Sequence, residues 1–226
     1  MTSPDQSFLF VDLAGFTALT EAHGDEESAD LAREFYAVVD RAAGGREAKM
    51  IKTIGDAVMV RAPRAANAVR LALCVVGESG GQHGFPSVRA GIHTGPATER
   101  AGDWFGATVN TAARVSALAS GDEVLLTQAT REAAGPVESV EFRERGRSQL
   151  KNVFQPVNIY AAHSTGERSA DNLPIDPVCR MAVDPGRATG RLTHDRVEYY
   201  FCSLRCAHAF AAAPGHYAGR QSPRRS

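Results

Sequence analysis

Apolar positions along the first two thirds of the chain follow two spacings, one typical of strands and one typical of helices. Residues 8–11 form a short apolar run, FLFV, which predicts a buried strand that stops at Asp12. Residues 28–43 repeat apolar side chains every three or four positions, which predicts a helix. Residues 49–60 hold two further apolar stretches around Gly55-Asp56, a pair that favours the tight turn of a β-hairpin.

The segments that follow continue this alternation and indicate one fold class. Two of them have helical spacing, residues 65–76 and 109–118. Four short apolar runs suit strands, and they are residues 88–92, 123–126, 140–142 and 157–161. The resulting order is strand, helices, two strands, helix, strand, helix and further strands. This order predicts an α+β domain of the ferredoxin-like kind, with helices on one face of the sheet.

Composition favours a globular protein and excludes several classes. The chain has 226 residues, of which 43% are hydrophobic and 23% are charged, as in ordinary globular domains. A formal net charge of -1 supplies no global field for binding nucleic acid. No apolar run approaches the roughly 20 residues that a membrane-spanning helix needs, and the N-terminus lacks the charge pattern of a signal peptide. We therefore expect a cytoplasmic protein without a membrane span or a nucleic-acid partner.

The composition changes after the predicted sheet, which suggests a second, smaller domain. Residues 163–171, HSTGERSAD, are polar and contain Gly and Ser, as linkers do. The segment beyond them is rich in Cys, Tyr and Phe, and the last residues are basic. We predict four parts, which are a first domain over 1–162, a linker over 163–173, a small domain over 174–219 and a disordered basic tail over 220–226.

Two acidic residues stand where the predicted sheet can bring their side chains together. Asp12 ends a buried strand, and Asp56 lies in a hairpin turn. If the strand and the hairpin are neighbours, the two carboxylates meet at one edge of the sheet. Paired carboxylates suit Mg²⁺ or Mn²⁺, which favour oxygen ligands. Taken alone, each Asp is more often only a cap or a turn former.

Five segments of the first domain together resemble the class III adenylyl and guanylyl cyclases. In chain order they are FLFVDLAGFTALTE, MIKTIGDAVMV, VRAGIHTGPA, GDWFGATVNTAARVSAL and RGRSQLKNVFQPVNIY. The resemblance implies the cyclase fold, with a mixed, mainly antiparallel sheet and helices packed on it. It also implies an adenylate cyclase, which converts ATP to 3′,5′-cyclic AMP and pyrophosphate by two-metal-assisted attack of the ribose 3′-hydroxyl.

The same resemblance implies a role for each matching polar residue. Asp12 and Asp56 would bind two Mg²⁺ or Mn²⁺ ions in each active site. Asn110 and Arg114 lie four apart on one helix face, where Asn110 would orient the ribose and Arg114 would neutralise charge at the α-phosphate. Lys151 would hold the terminal phosphates.

Lys52 and Asp103 resemble the base-selecting pair of the family. Lysine only donates hydrogen bonds and ionised aspartate only accepts them, which matches adenine, whose N1 accepts and whose N6 donates. Guanine reverses this pattern, so the pair favours ATP over GTP. Two alternatives stay open. One is a guanylyl or mixed-specificity cyclase, and the other is a catalytically silent regulatory protein that binds a nucleotide or a metal.

The resemblance further implies a homodimer with shared active sites. In the family, the metal ligands and the base-selecting residues of one site come from different subunits. One subunit would supply Asp12 and Asp56, and the other would supply Lys52, Asp103, Asn110, Arg114 and Lys151. One departure from the family is Asn152, which stands where Gly often follows the lysine.

Residues 174–217 resemble the YHS domain, a small module found with metal-handling enzymes. The matching pieces are DPVCRM, the YYFCS run, the Cys202–Cys206 pair and the closing PGHY. The family often has Gly where Arg180 stands. The resemblance implies a short hairpin followed by a helix that carries Cys206 and Phe210.

The cysteines of this module form a second candidate site. Cys179, Cys202 and Cys206 could converge on a soft ion such as Zn²⁺ or Cu⁺, with His194 or His208 as a fourth ligand. The alternative is that the three cysteines pack as reduced thiols in a small core. Two further histidines, His23 and His93, have no partner motif, and we expect both to serve in packing.

Overall fold

The computed structural model describes residues 4–165 and 173–218 of the chain. The strands of the first domain (residues 4–165) are β1 (Gln6–Leu13), β2 (Lys49–Ile54), β3 (Ala57–Ala62), β4 (Val88–Gly95), β5 (Thr98–Arg100), β6 (Asp103–Phe105), β7 (Val124–Thr127), β8 (Val140–Ser148) and β9 (Val157–Ser164). Its helices are α1 (Phe16–His23), α2 (Asp25–Gly44), α3 (Ala65–Gly80), α4 (Ala107–Leu118) and α5 (Gln128–Ala134). The C-terminal module (residues 173–218) adds β10 (Gly190–His194), β11 (Val197–Phe201), α6 (Leu204–Ala212) and α7 (Pro214–Tyr217).

One large sheet organises the first domain. Its strand order is β2-β3-β1-β4-β7-β9-β8. Neighbouring strands are antiparallel except for β4 and β7, which are parallel. The predicted α+β class with a mixed, mainly antiparallel sheet is therefore confirmed. Strand β1 pairs on both sides, with β3 and with β4, so it lies in the middle of the sheet.

Helices cover both faces of this sheet, so the prediction that they cover one face is wrong. Leu9 and Val11 of β1 pack with α2 and α3 on one side. Phe8 and Phe10 pack on the other side with Val109 of α4. Successive side chains of a strand point to opposite faces, so the unbroken apolar run FLFV requires cover on both.

Short elements and domain edges differ from the sequence prediction. The β5–β6 hairpin and helix α5 have too few residues to show a clear hydrophobic period, and the sequence analysis missed them. Strand β9 continues to Ser164, so the predicted linker begins inside a strand. Residues 166–172 of that linker and the whole predicted tail lie outside the described residues. No helix in the described ranges has the length and apolar character needed to cross a bilayer.

The C-terminal module packs directly on the first domain. As expected, it is a hairpin, β10–β11, followed by a helix that carries Cys206 and Phe210. Its core includes Phe201 and Phe210, and it also includes the fully buried Leu19 of α1. The two parts of the chain therefore share one hydrophobic cluster, which removes the side chain of Leu19 from water.

Helix α4 approaches the sheet very closely at Gly91. A Cβ atom at Gly91 of β4 would lie 1.9 Å from the backbone nitrogen of Ser116 in α4. We expect G91A to destabilise the protein by at least about 2 kcal/mol, because backbone atoms would have to move. The matched control is G77A on the exposed side of α3, which has open space around it and should stabilise by up to ~1 kcal/mol. Urea unfolding measures both, and a G91A variant as stable as the wild type would contradict this packing.

Candidate active site

The structure places Asp12 and Asp56 side by side. Asp12 is the last but one residue of β1 and lies between Ala57 of β3 and Arg89 of β4. Asp56 precedes β3 in the hairpin turn, and its carbonyl oxygen accepts a hydrogen bond from Leu13 N at 3.3 Å. The antiparallel pairing of β1 with β3 therefore brings the strand end to the hairpin, as the sequence analysis required.

Arg89, which was not among the predicted site residues, holds one oxygen of Asp12. Its Nε and an Nη atom donate to Asp12 Oδ2 at 2.9 Å and 2.5 Å. Burial raises the pKa of the Asp12 carboxyl to about 6, Arg89 works against this rise, and the neighbouring Asp56 carboxylate adds to it. An arginine inside the apolar strand VRAGI was the available signal, because a guanidinium removed partly from water favours an anionic partner.

The donor set at this edge fits a divalent cation. Asp12 Oδ1 is buried and has no hydrogen-bond partner among the described residues. An ionised carboxylate only accepts hydrogen bonds, so this oxygen needs a donor or a cation. The adjacent Asp56 supplies a second carboxylate of the kind that Mg²⁺ and Mn²⁺ prefer.

Lys52 and Asp103 also meet within one chain. Lys52 Nζ donates to Asp103 Oδ2 at 2.5 Å, and the other oxygen accepts from Trp104 N at 2.8 Å. The hydrogen bond from Lys52 lowers the pKa of the Asp103 carboxyl below its ordinary value, so this carboxylate is ionised at neutral pH. The β5–β6 hairpin places Asp103 at this position. Both side chains are partly exposed and accessible to a ligand.

The remaining predicted site residues are exposed and lie apart from the carboxylates. Asn110 and Arg114 share the outer face of α4, and Lys151 lies in the turn between β8 and β9. Within the described part of the chain, no hydrogen bond or ion pair joins any of the three to Asp12. Asn152 has a φ of 63°, a conformation that favours Gly but that Asn adopts more readily than most residues. The Asn thus fills the place where the family often has Gly.

The three cysteines of the C-terminal module converge, and the histidine beside them is His23. Cys202 Sγ lies 3.3 Å from Cys179 Sγ, 3.8 Å from Cys206 Sγ and 3.4 Å from His23 Nε2. His23, which we expected to serve in packing, is carried by α1 into contact with Cys202 of the module. The proposed fourth ligands, His194 and His208, are not in the described Cys–His cluster of His23, Cys179, Cys202 and Cys206.

The other histidine without a partner motif, His93, does serve in packing. Its Nδ1 atom lies 2.7 Å from the Thr127 hydroxyl across β4 and β7. Burial lowers the pKa of the His93 imidazole to about 4, so the ring is neutral at physiological pH.

Two family models match the chain one after the other. Residues 2–164 match the adenylate and guanylate cyclase catalytic domain, and residues 175–221 match the YHS domain. Both resemblances inferred from the sequence are confirmed by these matches. Class III cyclases use divalent metal ions, in keeping with the carboxylate pair at the end of β1.

Curated relatives and solved structures agree with the first match. The chain is 35% identical over 163 residues to the pH-sensitive adenylate cyclase of Mycobacterium tuberculosis, covering 71% of this chain and 41% of that protein. It is 31% identical over 177 residues to an adenylate cyclase of Streptomyces griseus, covering 78% and 44%. The chain therefore spans less than half the length of these relatives.

Structural similarity extends over the sheet and its helices. An adenylate cyclase of Trypanosoma brucei in its monomeric state superposes with a TM-score of 0.67 at 22% identity, covering 74% of this chain and 91% of that one. The adenylyl cyclase CyaB of P. aeruginosa gives a TM-score of 0.62 at 22% identity, covering 73% and 96%. At this identity the likeness shows the fold.

The ion pair between Arg89 and Asp12 gives a prediction for the titration of the carboxyl. Removing the guanidinium in R89M should raise the pKa of Asp12 above about 6, because a cation that favours the ionised form is lost. Carbon-13 NMR of aspartate-labelled protein without divalent ions measures this pKa. The control R70M removes an exposed arginine of α3 and should leave it unchanged. An unaltered Asp12 titration in R89M would rule out the pairing.

Proposed function

The chain belongs to the family of adenylate and guanylate cyclase catalytic domains, and we propose that its residues 1–162 convert ATP to 3′,5′-cyclic AMP and pyrophosphate. The observation that carries the choice of ATP is the contact between Lys52 and Asp103. A donor and an acceptor fixed side by side suit the N1 and N6 atoms of adenine and oppose those of guanine. The adenylate cyclase names of the relatives support the same choice.

The reaction joins the ribose 3′-oxygen to the α-phosphorus and breaks the bond from that phosphorus to the departing pyrophosphate. Asp12 and Asp56 would hold two Mg²⁺ or Mn²⁺ ions, which when bound supply positive charge to the attacking and leaving oxygens. Asn110 would donate to the ribose and orient its hydroxyl. Arg114 would match the charge that grows on the α-phosphate with its planar guanidinium. Lys151 would contact the terminal phosphates as a point charge.

A homodimer would unite these groups, and we propose that each active site is shared between two chains. In a single chain, Asn110, Arg114 and Lys151 are exposed and no described contact joins them to Asp12. Exposed apolar side chains lie close in sequence to the proposed site residues, and they are Ile54, Phe105, Leu118 and Phe154. Covering exposed apolar side chains with a partner removes them from water, which contributes favourable free energy to association.

We also propose a cytoplasmic location. The four cysteines, all within the described residues, form no disulfide. Three of them lie together as thiols, which suits a reducing compartment. ATP, the proposed substrate, is also available there.

The base-selecting pair is tested by reversing its hydrogen-bonding character. K52E replaces a donor with an acceptor, so ATP turnover should fall at least about 100-fold while turnover of GTP falls less or rises. Lys49 is an exposed lysine of the same strand, so K49E is the matched control. We expect K49E to keep the wild-type ratio of ATP to GTP turnover. Product chromatography with each nucleotide gives the ratio. A K52E variant with the wild-type ATP-to-GTP ratio would exclude Lys52 from base recognition.

Shared sites are tested by mixing two inactive variants. D12N lacks a proposed metal ligand and R114A lacks the proposed phosphate contact, so each homodimer should be inactive. Their mixed dimer contains one intact site, and random pairing should restore about a quarter of the wild-type activity. The control mixture, D12N with D56N, places a defect in every site and should restore none. Failure of D12N and R114A to complement, with mixed dimers verified by affinity tags, would refute the shared site.

A further inference from the structure

The Cys–His cluster crosses the boundary between the two parts of the chain. His23 ends α1 of the first domain, whereas Cys179, Cys202 and Cys206 belong to the C-terminal module. All four ligand atoms lie within 4.8 Å of one another. Cys179 and Cys206 are fully buried, and the side chain of His23 is 10% exposed. The cluster is therefore nearly closed to solvent, as structural metal sites are.

The three distances from Cys202 Sγ to the other ligand atoms are close to those of a tetrahedral site. For Zn–S bonds of about 2.3 Å and Zn–N bonds of about 2.0 Å, ligand atoms lie about 3.8 Å apart for two sulfurs and about 3.5 Å apart for sulfur and nitrogen. The distances from Cys202 Sγ are 3.8 Å to Cys206 Sγ and 3.4 Å to His23 Nε2. The Cys179–Cys202 distance of 3.3 Å is only slightly shorter, so small side-chain rotations would admit an ion.

His23 is oriented as a metal ligand rather than as a packing residue. Its Nδ1 atom lies 3.1 Å from a carboxylate oxygen of Glu27, while Nε2 points to the sulfurs. Metal-ligating histidines commonly donate the other ring N–H to a carboxylate in this way, which leaves the inner nitrogen free to bind. The contact to Glu27 is thus an observation independent of the cysteines.

Asp176 holds the cysteine backbone in place from the module side. One carboxylate oxygen accepts hydrogen bonds from Val178 N at 2.8 Å and Cys179 N at 3.4 Å. The other oxygen accepts from Cys202 N at 2.9 Å. Cys206 lies in the first turn of α6, whose N-terminal Ser203 accepts from Cys206 N at 3.2 Å. The three sulfurs are therefore positioned by separate backbone segments whose N–H groups are hydrogen-bonded to Asp176 or Ser203.

A cavity adjoins the cluster along the seam between α1 and the module. It has a volume of about 280 Å³ and lies between Ala18 and Glu21 of α1 and Arg205 of α6, and Cys206 forms part of its wall. A buried metal site requires an entry path, and this cavity is the candidate for it.

We propose that His23 is the fourth ligand of a tetrahedral Zn²⁺ site with Cys179, Cys202 and Cys206, so that the ion joins the C-terminal module to helix α1 of the first domain. Three thiolates and one imidazole are a donor set that Zn²⁺ binds in closed sites. Because one ligand comes from the other part of the chain, binding of the ion favours the docked arrangement over the separated one.

The position of α1 links this site to the carboxylate pair. Helix α1 begins four residues after Asp12, and its preceding loop packs against the module. A Cβ atom at Gly15, whose φ is +82°, would lie 2.7 Å from Arg180 Cγ. The backbone oxygen of Arg180 accepts from Ser87 N at 3.0 Å, and the oxygen of Ser87 accepts from Ala14 N at 2.8 Å. Zn²⁺ binding at His23 would thus restrain the loop that follows Asp12.

Metal titration of the reduced, full-length chain tests the proposal directly. We expect the wild type to bind a single Co²⁺, used as a spectroscopic probe that Zn²⁺ displaces, with the charge-transfer band of thiolate ligation and the visible bands of tetrahedral Co²⁺. H23Q should weaken Zn²⁺ binding at least about 100-fold, and E27Q should weaken it about 10-fold through loss of an outer hydrogen bond. The matched control H208A replaces the exposed histidine of α6 and should bind as the wild type does.

Hydrogen exchange of α1 supplies the readout of docking. Zn²⁺ should slow exchange of the α1 amides in the wild type and in H208A but not in H23Q. As a control for folding, all three proteins should have equal thermal stability in the absence of metal. H23Q that binds Zn²⁺ with wild-type affinity would overturn the proposal. So would a reduced wild type that binds no more tightly than the C179S/C202S/C206S variant.

The expected effect of Zn²⁺ on catalysis rests on the proposed function, and a separate activity assay tests it. With Mn²⁺ present, one equivalent of Zn²⁺ should raise cyclic AMP formation by metal-stripped wild type and by H208A but not by H23Q. If no protein makes cyclic AMP, the cyclase proposal fails, and the Co²⁺ spectra and hydrogen exchange still decide the role of His23. If all three respond alike to Zn²⁺, the link between the two sites is refuted.

Discussion

The pairing of β1 between β3 and β4 is the constraint on which the rest of the structure depends. It sets Asp12 beside Arg89 on one side and next to the hairpin of Asp56 on the other. Different side chains pack on the two faces of this strand, so a shift of register by one residue would move Phe8 and Leu9 into each other's clusters and turn Asp12 away from Arg89. The chain then leaves β1 through Gly15 into α1, so the same strand also fixes where His23 meets the C-terminal module.

Two positions show how the chain tolerates other residues where the families often have glycine. Asn152 adopts a φ of 63° beside Lys151, and Arg180 adopts a φ of 69° in the first turn of the module. Asparagine adopts this conformation at moderate cost, whereas arginine is strained in it. The strain at Arg180 is offset by its contacts, because its side chain packs on Gly15 and its backbone oxygen accepts from Ser87 N. Arg180, which stands where the YHS family often has Gly, is thus the residue through which the module contacts the loop after Asp12.

The sequence predicted the features that follow from local hydrophobic pattern or from the family motifs. The meeting of Asp12 with Asp56 follows if the first strand and the hairpin are neighbours, and the pairing of Lys52 with Asp103 follows from the resemblance to the cyclases. Arg89 and His23 escaped prediction because their partners are remote in sequence. His23 lies 179 residues from Cys202, and no periodicity reports a contact over that separation. The second helical layer was missed although the all-apolar run FLFV indicates burial on both faces.

The most direct test of the account is product formation by the purified chain with Mn²⁺ and either ATP or GTP, across a dilution series. We predict cyclic AMP from ATP, little cyclic GTP from GTP, and a specific activity that falls on dilution as shared sites separate. Cyclic GTP as the main product would contradict the role of Lys52 and Asp103. No product from either nucleotide at any protein concentration would contradict the cyclase account itself.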